Sequence, residues 1–223
     1  KAPGLEMVML SSHLATADDP DDFDYVEAQI QEFTAIRNQL LALGLRFETN
    51  LANSAAILAH PAAHFDSRRA GIALYGGNPF RGTPLAHLGQ GLAPAMEVAT
   101  RIVSVHDLAA GQSVSYGRTF TAPADMRIAV VAAGYADAYG RSLSNSGFML
   151  LGDVRVPICG RVCMQLTAVD VSEAPQVKPG DEILLLGGQG DNAITPDELA
   201  EWWGTISYEV LCLLGLNPRE YVE

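Results

Sequence analysis

RIAVVAAGYADAYGRSLSN, residues 127–145, shows the pattern that decides the fold of the second half of this chain. An apolar run over residues 128–133 stops at a glycine, and a polar bend with Tyr135 at its start follows. Short apolar runs that end in glycine-rich bends are typical of buried β-strands. The stretch therefore predicts a core strand that presents Tyr135 at its end, either as packing material or as a functional hydroxyl.

Similar strand-like segments follow one another from about residue 91, separated by Gly, Pro, Asn and Asp. They read MEVATRIVSV, SVSYGRTFTA, FMLLGDVRVPI, MQLTAVDVS and DEILLLGG. Short strands with turn residues between them predict a mainly antiparallel β domain of sandwich or barrel type over residues 91–223. One helix interrupts it, because TPDELAEWW has Thr195 as the expected N-cap and Glu198 to complete a capping box.

The first ninety residues alternate between strand-like and helix-like segments. Residues 5–10 are a short apolar run. From Phe23 to Leu43 apolar residues recur at spacings of three and four, with Gly44 as the expected C-terminal cap. RFETNLANSAA predicts a strand, a turn and a short helix, and DSRRAGIALYGG predicts another strand that ends in glycines. Such alternation is typical of parallel βα construction, in which functional groups collect at the carboxyl ends of the strands.

These residues supply about three or four βα units, whereas a closed parallel barrel needs eight. An open half-barrel would expose unpaired strand edges, so we expect residues 1–90 to be the back part of something larger. The chain begins at Lys1 without an initiator methionine, so we also expect a preceding segment.

Composition argues against several classes of function. Hydrophobic residues make up 48% and charged residues 18% of the chain, as in a soluble globular protein, and the apolar runs are too short to span a bilayer. The formal net charge of −12, without a cluster of Lys and Arg, argues against nucleic acid or an anionic membrane as a partner. Three cysteines, Cys159, Cys163 and Cys212, cannot all pair, and so sparse a set indicates a reducing compartment. Cys159 and Cys163 lack a second pair at metal-ligand spacing, so we expect no metal site.

Two segments of the first half are candidates for binding an anion. Asn53 and Ser54 lie where a predicted strand turns into a helix, and Gly71 and Ile72 follow Arg69 on the next predicted strand. Backbone N–H groups and a hydroxyl at two successive strand ends would form a phosphate cup in a barrel. The same residues also suit an ordinary helix N-cap and a packing glycine, since capping residues are common.

His13, Arg69 and Tyr135 are candidates for acid–base chemistry. His13 and Arg69 are both expected near the carboxyl ends of strands, where a guanidinium is costly to leave unpaired. A phenol titrates near pH ~10 and is a weak base at neutral pH, but a neighbouring histidine and a fixed positive charge would favour its phenolate. Position alone favours a surface or capping role for His13 and a core role for Met164 in GRVCMQ.

Eight stretches resemble the alanine racemase family, whose members use pyridoxal phosphate and supply D-alanine for the bacterial cell wall. They are SSHLATADDP, LANSAA, RAGIALYG, VSYGRTF, GYADAYGR, PICGRVCM, LLGGQGD and TISYEVLC. They occur in the order of the family across nearly the whole chain. The resemblance implies that residues 1–90 are the C-terminal part of a (β/α)8 barrel of the TIM type that binds pyridoxal phosphate, followed by a mainly antiparallel β domain over residues 91–223. It also implies a homodimer in which each β domain completes the active site of the partner.

The resemblance also implies roles for individual residues. Tyr135 would be the catalytic acid–base group on one face of the substrate, His13 would assist it, and Arg69 would hydrogen-bond the pyridine nitrogen of pyridoxal 5'-phosphate. The Met164 N–H would hold the substrate carboxylate. The cofactor phosphate would be bound at a set of positions drawn from both halves of the chain: Asn53, Ser54, Gly71, Ile72 and Tyr208.

Some features of the family are absent. The lysine that holds the cofactor lies in a KANAYGHG-like motif that does not occur here, and the only lysines are Lys1 and Lys178. The substrate-binding arginine of the first half of the family is absent too. Gln165 replaces the usual aspartate, Asn50 stands where many members carry histidine, and Ala138 replaces a common glycine.

We therefore expect the C-terminal part of a bacterial, cytoplasmic alanine racemase, which interconverts L-alanine and D-alanine by two-base proton transfer for peptidoglycan precursors. Without the N-terminal barrel half that carries the cofactor lysine, the chain alone should be inactive. A racemase for serine or for several amino acids is an alternative, because part of the substrate pocket lies in that half. A catalytically inactive fragment that serves as a dimerisation or binding module is another.

Overall fold

The computed structural model describes residues 4–221 of the chain. It consists of two compact units, Lys1–Ala93 and Pro94–Glu223, called here the α/β unit and the β unit. Within the described residues no helix is both long enough and apolar enough to cross a membrane.

The α/β unit contains two short parallel strands and two helices. They are β1 (Met9–Ser11), α1 (Phe23–Ala42), β2 (Glu48–Asn50) and α2 (Ser54–Ala59). β1 and β2 pair in a parallel register that joins the last residue of each strand, Ser11 and Asn50. The carboxyl ends of both strands therefore lie side by side, as parallel βα construction requires.

Helix α1 follows the sequence pattern closely. Its apolar stripe buries Val26 and Phe33 in the core of the unit, whereas Ile36 of the same stripe is exposed, and the helix ends at Ala42. Gly44 has a φ of 81° and donates its N–H to the Leu41 carbonyl at 2.9 Å. A left-handed residue after the last turn satisfies carbonyls that the helix leaves open, so the predicted glycine cap is present.

Two predicted strands of the α/β unit are shorter than expected. The run at residues 5–10 forms a strand only over Met9–Ser11. The strand predicted in DSRRAGIALYGG is reduced to a single parallel bridge between Asn50 and Ser67, followed by a 3-10 turn over Ile72–Tyr75. Beyond Ser67, the Gly71 N–H bonds back to the Arg69 carbonyl at 3.0 Å, which turns the chain away from β2.

The β unit contains eight strands and two helices. They are β3 (Val98–Leu108), β4 (Ser113–Val114), β5 (Phe120–Thr121), β6 (Met126–Val131), β7 (Phe148–Leu151), β8 (Val154–Pro157), β9 (Thr167–Asp170), β10 (Glu182–Leu186), α3 (Pro196–Trp203) and α4 (Ser207–Leu214). Helix α3 has the predicted capping box, since Thr195 and Glu198 each accept the backbone N–H of the other. Helix α4 is not predicted by the sequence pattern, because its β-branched and aromatic residues also suit a strand.

Six strands form one antiparallel sheet in the order β8-β7-β10-β3-β6-β9. The two edge strands approach each other through a bridge between Ile158 and Val169, and the Cys159 N–H donates to the Ala168 carbonyl at 2.8 Å. The sheet is therefore nearly closed, which leaves few unpaired edge groups. Its interior holds a continuous apolar core to which Ile102, Val131, Met149 and Ile183 contribute.

The stretch RIAVVAAGYADAYGR places its two tyrosines in opposite environments. Tyr139 is fully buried in the core, and its hydroxyl donates to the Phe148 carbonyl at 3.4 Å. Burial raises the pKa of Tyr139 above its usual value, so this phenol stays protonated. Tyr135, in the turn after β6, is 44% exposed. Tyr139 is therefore packing material, whereas the ring of Tyr135 is not part of the core.

Candidate active site

Arg69 is the centre of a hydrogen-bonded cluster at the carboxyl ends of β1 and β2. Its Nη1 donates to the hydroxyl of Ser11 at 3.1 Å and to the side-chain oxygen of Asn50. Its Nη2 donates to the carbonyls of Ser12 at 2.7 Å and Leu51 at 3.3 Å. Within residues 4–221 the Nε–H of Arg69 has no acceptor. One donor of a fixed cation is thus free to bind a ligand.

His13 joins this cluster through its ring. The Nδ1 atom lies 3.2 Å from Nη2 of Arg69. A guanidinium can only donate, so Nδ1 is the acceptor and the proton of the neutral ring lies on Nε2. The side chain is exposed, so its Nε2–H faces outward as a donor. The sequence-predicted pair, His13 and Arg69, is therefore in direct contact.

The predicted anion-binding residues form a second cluster in the α/β unit. The buried hydroxyl of Ser54 accepts the Ala73 N–H at 3.2 Å, and a Cβ on Gly71 would lie 3.8 Å from the same oxygen. The Ile72 N–H, at the start of the 3-10 turn, has no acceptor among the described residues. Ser54, Gly71 and Ile72 are thus neighbours, with a hydroxyl and a free N–H available to an anion.

Asn53 has a structural task in the same segment. Its Oδ1 accepts the Ala56 N–H at 3.0 Å and so caps α2, and its Nδ2 donates to the Leu14 carbonyl at 3.5 Å. Both ends of the amide are used, as the alternative of an ordinary N-cap requires. A contact between Asn53 and a cofactor stays a prediction.

A carboxylate and a hydroxyl hold the segment that carries Arg69 against β2. The backbone N–H of Thr49 donates to Oδ2 of Asp66 at 2.8 Å, and the Thr49 hydroxyl donates to the same oxygen. These hydrogen bonds, the hydroxyl first, hold the pKa of Asp66 below its usual range. The Asp66 carboxylate therefore takes the Thr49 N–H, while the Thr49 carbonyl accepts the Ser67 N–H at 3.1 Å.

In the β unit, Tyr135 and Met164 are held together by their backbones. The Tyr135 N–H donates to the Cys163 carbonyl at 3.0 Å, and the Ala136 N–H donates to the Met164 carbonyl at 2.8 Å. Gly134 makes this approach possible, because a Cβ there would lie 2.3 Å from the Cys163 oxygen and 2.4 Å from the Met164 oxygen. Two residues about thirty positions apart in sequence thus share one site.

The surface at this point combines apolar side chains with a free donor. Tyr135, Met164 and Leu166 are all exposed, with 58% of Met164 accessible. Within the part of the chain that the structure describes, the Met164 N–H has no acceptor. An exposed phenol can give or take a proton, and an unpartnered N–H can bind a carboxylate.

The remaining predicted residue, Tyr208, lies in the first turn of α4 and is 48% exposed. The predicted residues therefore form two groups in the α/β unit, around Arg69 and around Ser54, and one group around Tyr135 in the β unit. Among residues 4–221 no cluster of three or more His, Cys, Asp or Glu could hold a metal ion.

The sequence pattern missed two residues that support these groups. Asn50 contacts Arg69, although the sequence indicated only that it stands where many members of the family carry histidine. Ser115 has a positive φ of 69°, and its hydroxyl donates to the Arg161 carbonyl at 2.7 Å and accepts the Arg161 N–H at 3.0 Å. Ser115 thereby fixes the turn that precedes Cys163. No sequence rule predicts a left-handed serine.

The chain matches two family models over most of its length. Residues 1–79 match the N-terminal domain of alanine racemase, and residues 95–221 match its C-terminal domain. The chain belongs to the alanine racemase family.

Relatives in this family include proteins of known structure. The alanine racemase of Nitratidesulfovibrio vulgaris strain Miyazaki F is 59% identical over 221 residues, which are 99% of this chain and 59% of that protein. The biosynthetic alanine racemase of Pseudomonas aeruginosa is 38% identical, with a TM-score of 0.79 over 99% of this chain and 59% of its own. The alanine racemase of Bartonella henselae with covalently bound pyridoxal phosphate is 26% identical, with a TM-score of 0.73 over 92% of this chain and 54% of its own. The chain thus spans a little over half the length of these relatives.

Proposed function

We propose that the complete protein is an alanine racemase that interconverts L-alanine and D-alanine by proton transfer on two faces of the α-carbon. The observation that carries this proposal is the pair formed by Tyr135 and Met164. The exposed phenol is a group that can give or take a proton, and the free Met164 N–H beside it can hold the carboxylate of an amino acid. A proton donor next to a carboxylate site is suited to chemistry at the carbon between them.

The α/β unit offers groups that fit pyridoxal 5'-phosphate. The Nε–H of Arg69 would donate to the ring nitrogen, and the Ser54 hydroxyl and the Ile72 N–H would bind the phosphate, with Gly71 leaving room for it. When bound, this cofactor supplies an electron sink for the charge that deprotonation leaves on the α-carbon. The fit rests on two free N–H donors, of Arg69 and Ile72, that the described residues leave without an acceptor.

The chain's own residues would divide the chemistry as follows. Tyr135 would take or return the α-proton on one face, and the Met164 N–H would fix the substrate so that this proton points at the phenol. His13, with its proton on Nε2, would be the hydrogen-bond partner of Tyr135. Arg69 cannot readily give a proton to the cofactor ring, because a guanidinium stays charged, and this limits side reactions.

We also propose that the lysine that holds the cofactor and acts as the second catalytic base comes from outside this chain. The lysine that holds the cofactor and serves the opposite face would lie in an N-terminal barrel half, since Lys178 lies in a turn of the β unit. In this view residues 1–90 are the C-terminal part of a (β/α)8 barrel. The complete protein would act in the bacterial cytoplasm and supply D-alanine for peptidoglycan.

The proposed assembly is a homodimer in which Tyr135 and Tyr208 of one subunit complete the site of the other. It is supported by the exposed apolar side chains around Tyr135. A mixing experiment tests it with two inactive variants of the complete protein, Tyr135→Phe and Arg69→Ala. If each site draws Tyr135 and Arg69 from different subunits, a random mixture should regain about one quarter of the wild-type activity, because half of the dimers have one intact site. No recovery after subunit exchange would contradict shared sites.

The proposed reaction is tested directly with the complete protein and pyridoxal 5'-phosphate. We expect L-alanine to be converted to an equal mixture of both enantiomers, as measured by chiral chromatography, with kcat/KM for serine at least about tenfold lower than for alanine. Equal values for both substrates would indicate a broad-specificity racemase. A protein that binds the cofactor and racemises neither would contradict the proposal and favour a binding module.

A further inference from the structure

The direction of the Arg69 guanidinium is fixed at its two terminal nitrogens. Two of its acceptors, the carbonyls of Ser12 and Leu51, belong to the backbone. The others are the side chains of Ser11, His13 and Asn50. Because the guanidinium is planar, fixing Nη1 and Nη2 also fixes the direction of the remaining Nε–H. The acceptors on these nitrogens therefore decide where the free donor points.

Asn50 is the most constrained of the three side chains. It is buried, with 5% of its surface accessible. Its Oδ1 must face Arg69, since a guanidinium only donates, and its Nδ2 donates to the hydroxyl of Ser67 at 2.9 Å. The amide thus links the end of β2 to the segment that carries Arg69. By contrast, Ser11 and His13 are exposed and have room to turn.

We propose that Asn50 is a positioning residue that aims the Nε–H of Arg69 at the ring nitrogen of pyridoxal 5'-phosphate. This inference rests on the proposed function. The backbone carbonyls hold Nη2, whereas Nη1 has only the side chains of Ser11 and Asn50. Without the amide oxygen, Nη1 keeps a single exposed partner, and the planar guanidinium can turn as a unit about the Cδ–Nε bond, which redirects its Nε–H.

Two substitutions separate the role of the acceptor from that of packing. Asn50→Ala removes the side-chain oxygen that accepts from Arg69. Asn50→Asp keeps a side-chain oxygen at the same distance from the backbone, and its second oxygen can accept from the Ser67 hydroxyl. Asn38→Ala is the matched control, because it removes an asparagine amide from the exposed surface of α1. All four forms of the complete protein are first compared by thermal unfolding.

The first readout does not depend on catalysis. The complete apoprotein is titrated with pyridoxal 5'-phosphate, and binding is followed by absorbance. We expect Asn50→Ala to weaken binding by about tenfold, in keeping with the loss of one well-aimed hydrogen bond from a charged donor. Asn50→Asp should lie within about threefold of the wild type, as should the control.

The second readout separates kcat from KM for alanine. Asn50→Ala should lower kcat about tenfold and leave KM within about threefold, because Met164 and not Arg69 holds the substrate. Asn50→Asp should restore kcat. Wild-type affinity and kcat in a folded Asn50→Ala variant would overturn the proposal. A loss that Asn50→Asp does not restore would overturn it as well, because the acceptor would then not be the cause.

The outcome for Asn50 can be told apart from the outcome for the proposed function. If the wild-type protein binds pyridoxal 5'-phosphate but does not racemise alanine, the proposed function is wrong, and the titration alone decides the role of Asn50. If the wild-type protein does not bind the cofactor, both proposals are wrong.

Discussion

The sheets of the two units differ in how their edge strands are covered. In the β unit, the edge strands β8 and β9 meet through the bridge between Ile158 and Val169, around a continuous core. In the α/β unit, β1 pairs with β2 alone among the described residues, and apolar side chains near it are exposed, including Val8 at 70% and Met9 at 43%. An uncovered edge and exposed apolar residues are features that stable domains normally avoid.

The units also differ in how they hold their functional groups. The β unit fixes Tyr135 and Met164 by backbone hydrogen bonds that depend on Gly134. The α/β unit fixes Arg69 by two backbone carbonyls and three side chains, of which Asn50 is the buried one. Tyr135, the proposed proton-transfer group, therefore stands on a scaffold with its own closed core, whereas Arg69 and the other proposed cofactor groups stand on a scaffold that would gain from a further covering element.

The largest effect should appear when the units are separated. Residues 94–221 expressed alone should unfold cooperatively in urea, because their core is closed. Residues 4–93 alone should show no cooperative transition, because a two-stranded sheet is at best marginally stable in water. Circular dichroism during urea titration checks both fragments. A cooperative transition in residues 4–93 alone would remove the contrast between the units.

The second-largest effect should come from a methyl group at Gly134, which should disrupt the group around Tyr135 and Met164 in the β unit. In Gly134→Ala the new Cβ meets the carbonyl oxygens of Cys163 and Met164, so the backbone has to move. We expect a loss of about 1–3 kcal/mol in the free energy of unfolding, and at least a ~10²-fold loss of racemisation, since displacing a catalytic group by an ångström has such an effect.

Ala138→Gly is the control for Gly134→Ala in the same turn. Ala138 has a left-handed φ of 59°, which glycine adopts without strain, so the variant should be as stable and active as the wild type to within about threefold. Chemical unfolding and the racemisation assay apply to both variants. A fully active Gly134→Ala would show that the backbone contact does not position Tyr135.

The smallest effect concerns pH and is confined to the α/β unit. His60 is buried, donates from Nε2 to the Ala17 carbonyl at 3.2 Å, and packs edge-on against Phe23. Desolvation lowers the pKa of His60, although the Ala17 contact and Glu27 act in the opposite direction. The folded state therefore binds a proton less readily than the unfolded chain, whose histidines titrate near ~6.5.

The sign of this effect follows from the lowered pKa. The stabilising contribution of neutral His60 is fully present above pH ~6.5 and is lost as the pH falls from there towards the pKa of the folded state. The melting temperature of the complete protein should fall between pH 7.5 and pH 5.5, and His60→Gln, which keeps a donor for Ala17 but cannot titrate, should reduce that fall. An identical fall in both proteins would exclude His60 as its source.

The sequence predicted elements well where local chemistry decides them. Helix α1 and its Gly44 cap follow from apolar spacing, and the capping box of α3 follows from Thr195 and Glu198. Prediction from the sequence failed where pairing between segments distant in sequence decides the structure. The strand predicted after Asp66 became a single bridge, because the Thr49 N–H bonds the Asp66 carboxylate and the chain turns back at Gly71.

For the candidate site, the sequence identified residue types but not their arrangement. Their positions at predicted strand ends made His13, Arg69 and Tyr135 candidates, and the resemblance to a family supplied their roles. The structure shows that the first two are in contact. The support by Asn50 could not be predicted, since it depends on which strand ends lie side by side. Asn53 was a candidate cofactor-binding residue from the sequence, and the structure shows that its side-chain oxygen caps α2.

The central claim is that Tyr135 transfers the α-proton on one face only. It is tested most directly by the exchange of the α-proton of each alanine enantiomer with D2O, in the complete Tyr135→Phe protein loaded with cofactor. We predict that the rate of α-proton exchange from one enantiomer falls by about 10²–10⁴-fold, whereas α-proton exchange from the other enantiomer persists. Exchange that stays at the wild-type rate for both enantiomers, or that is lost equally for both, would contradict it.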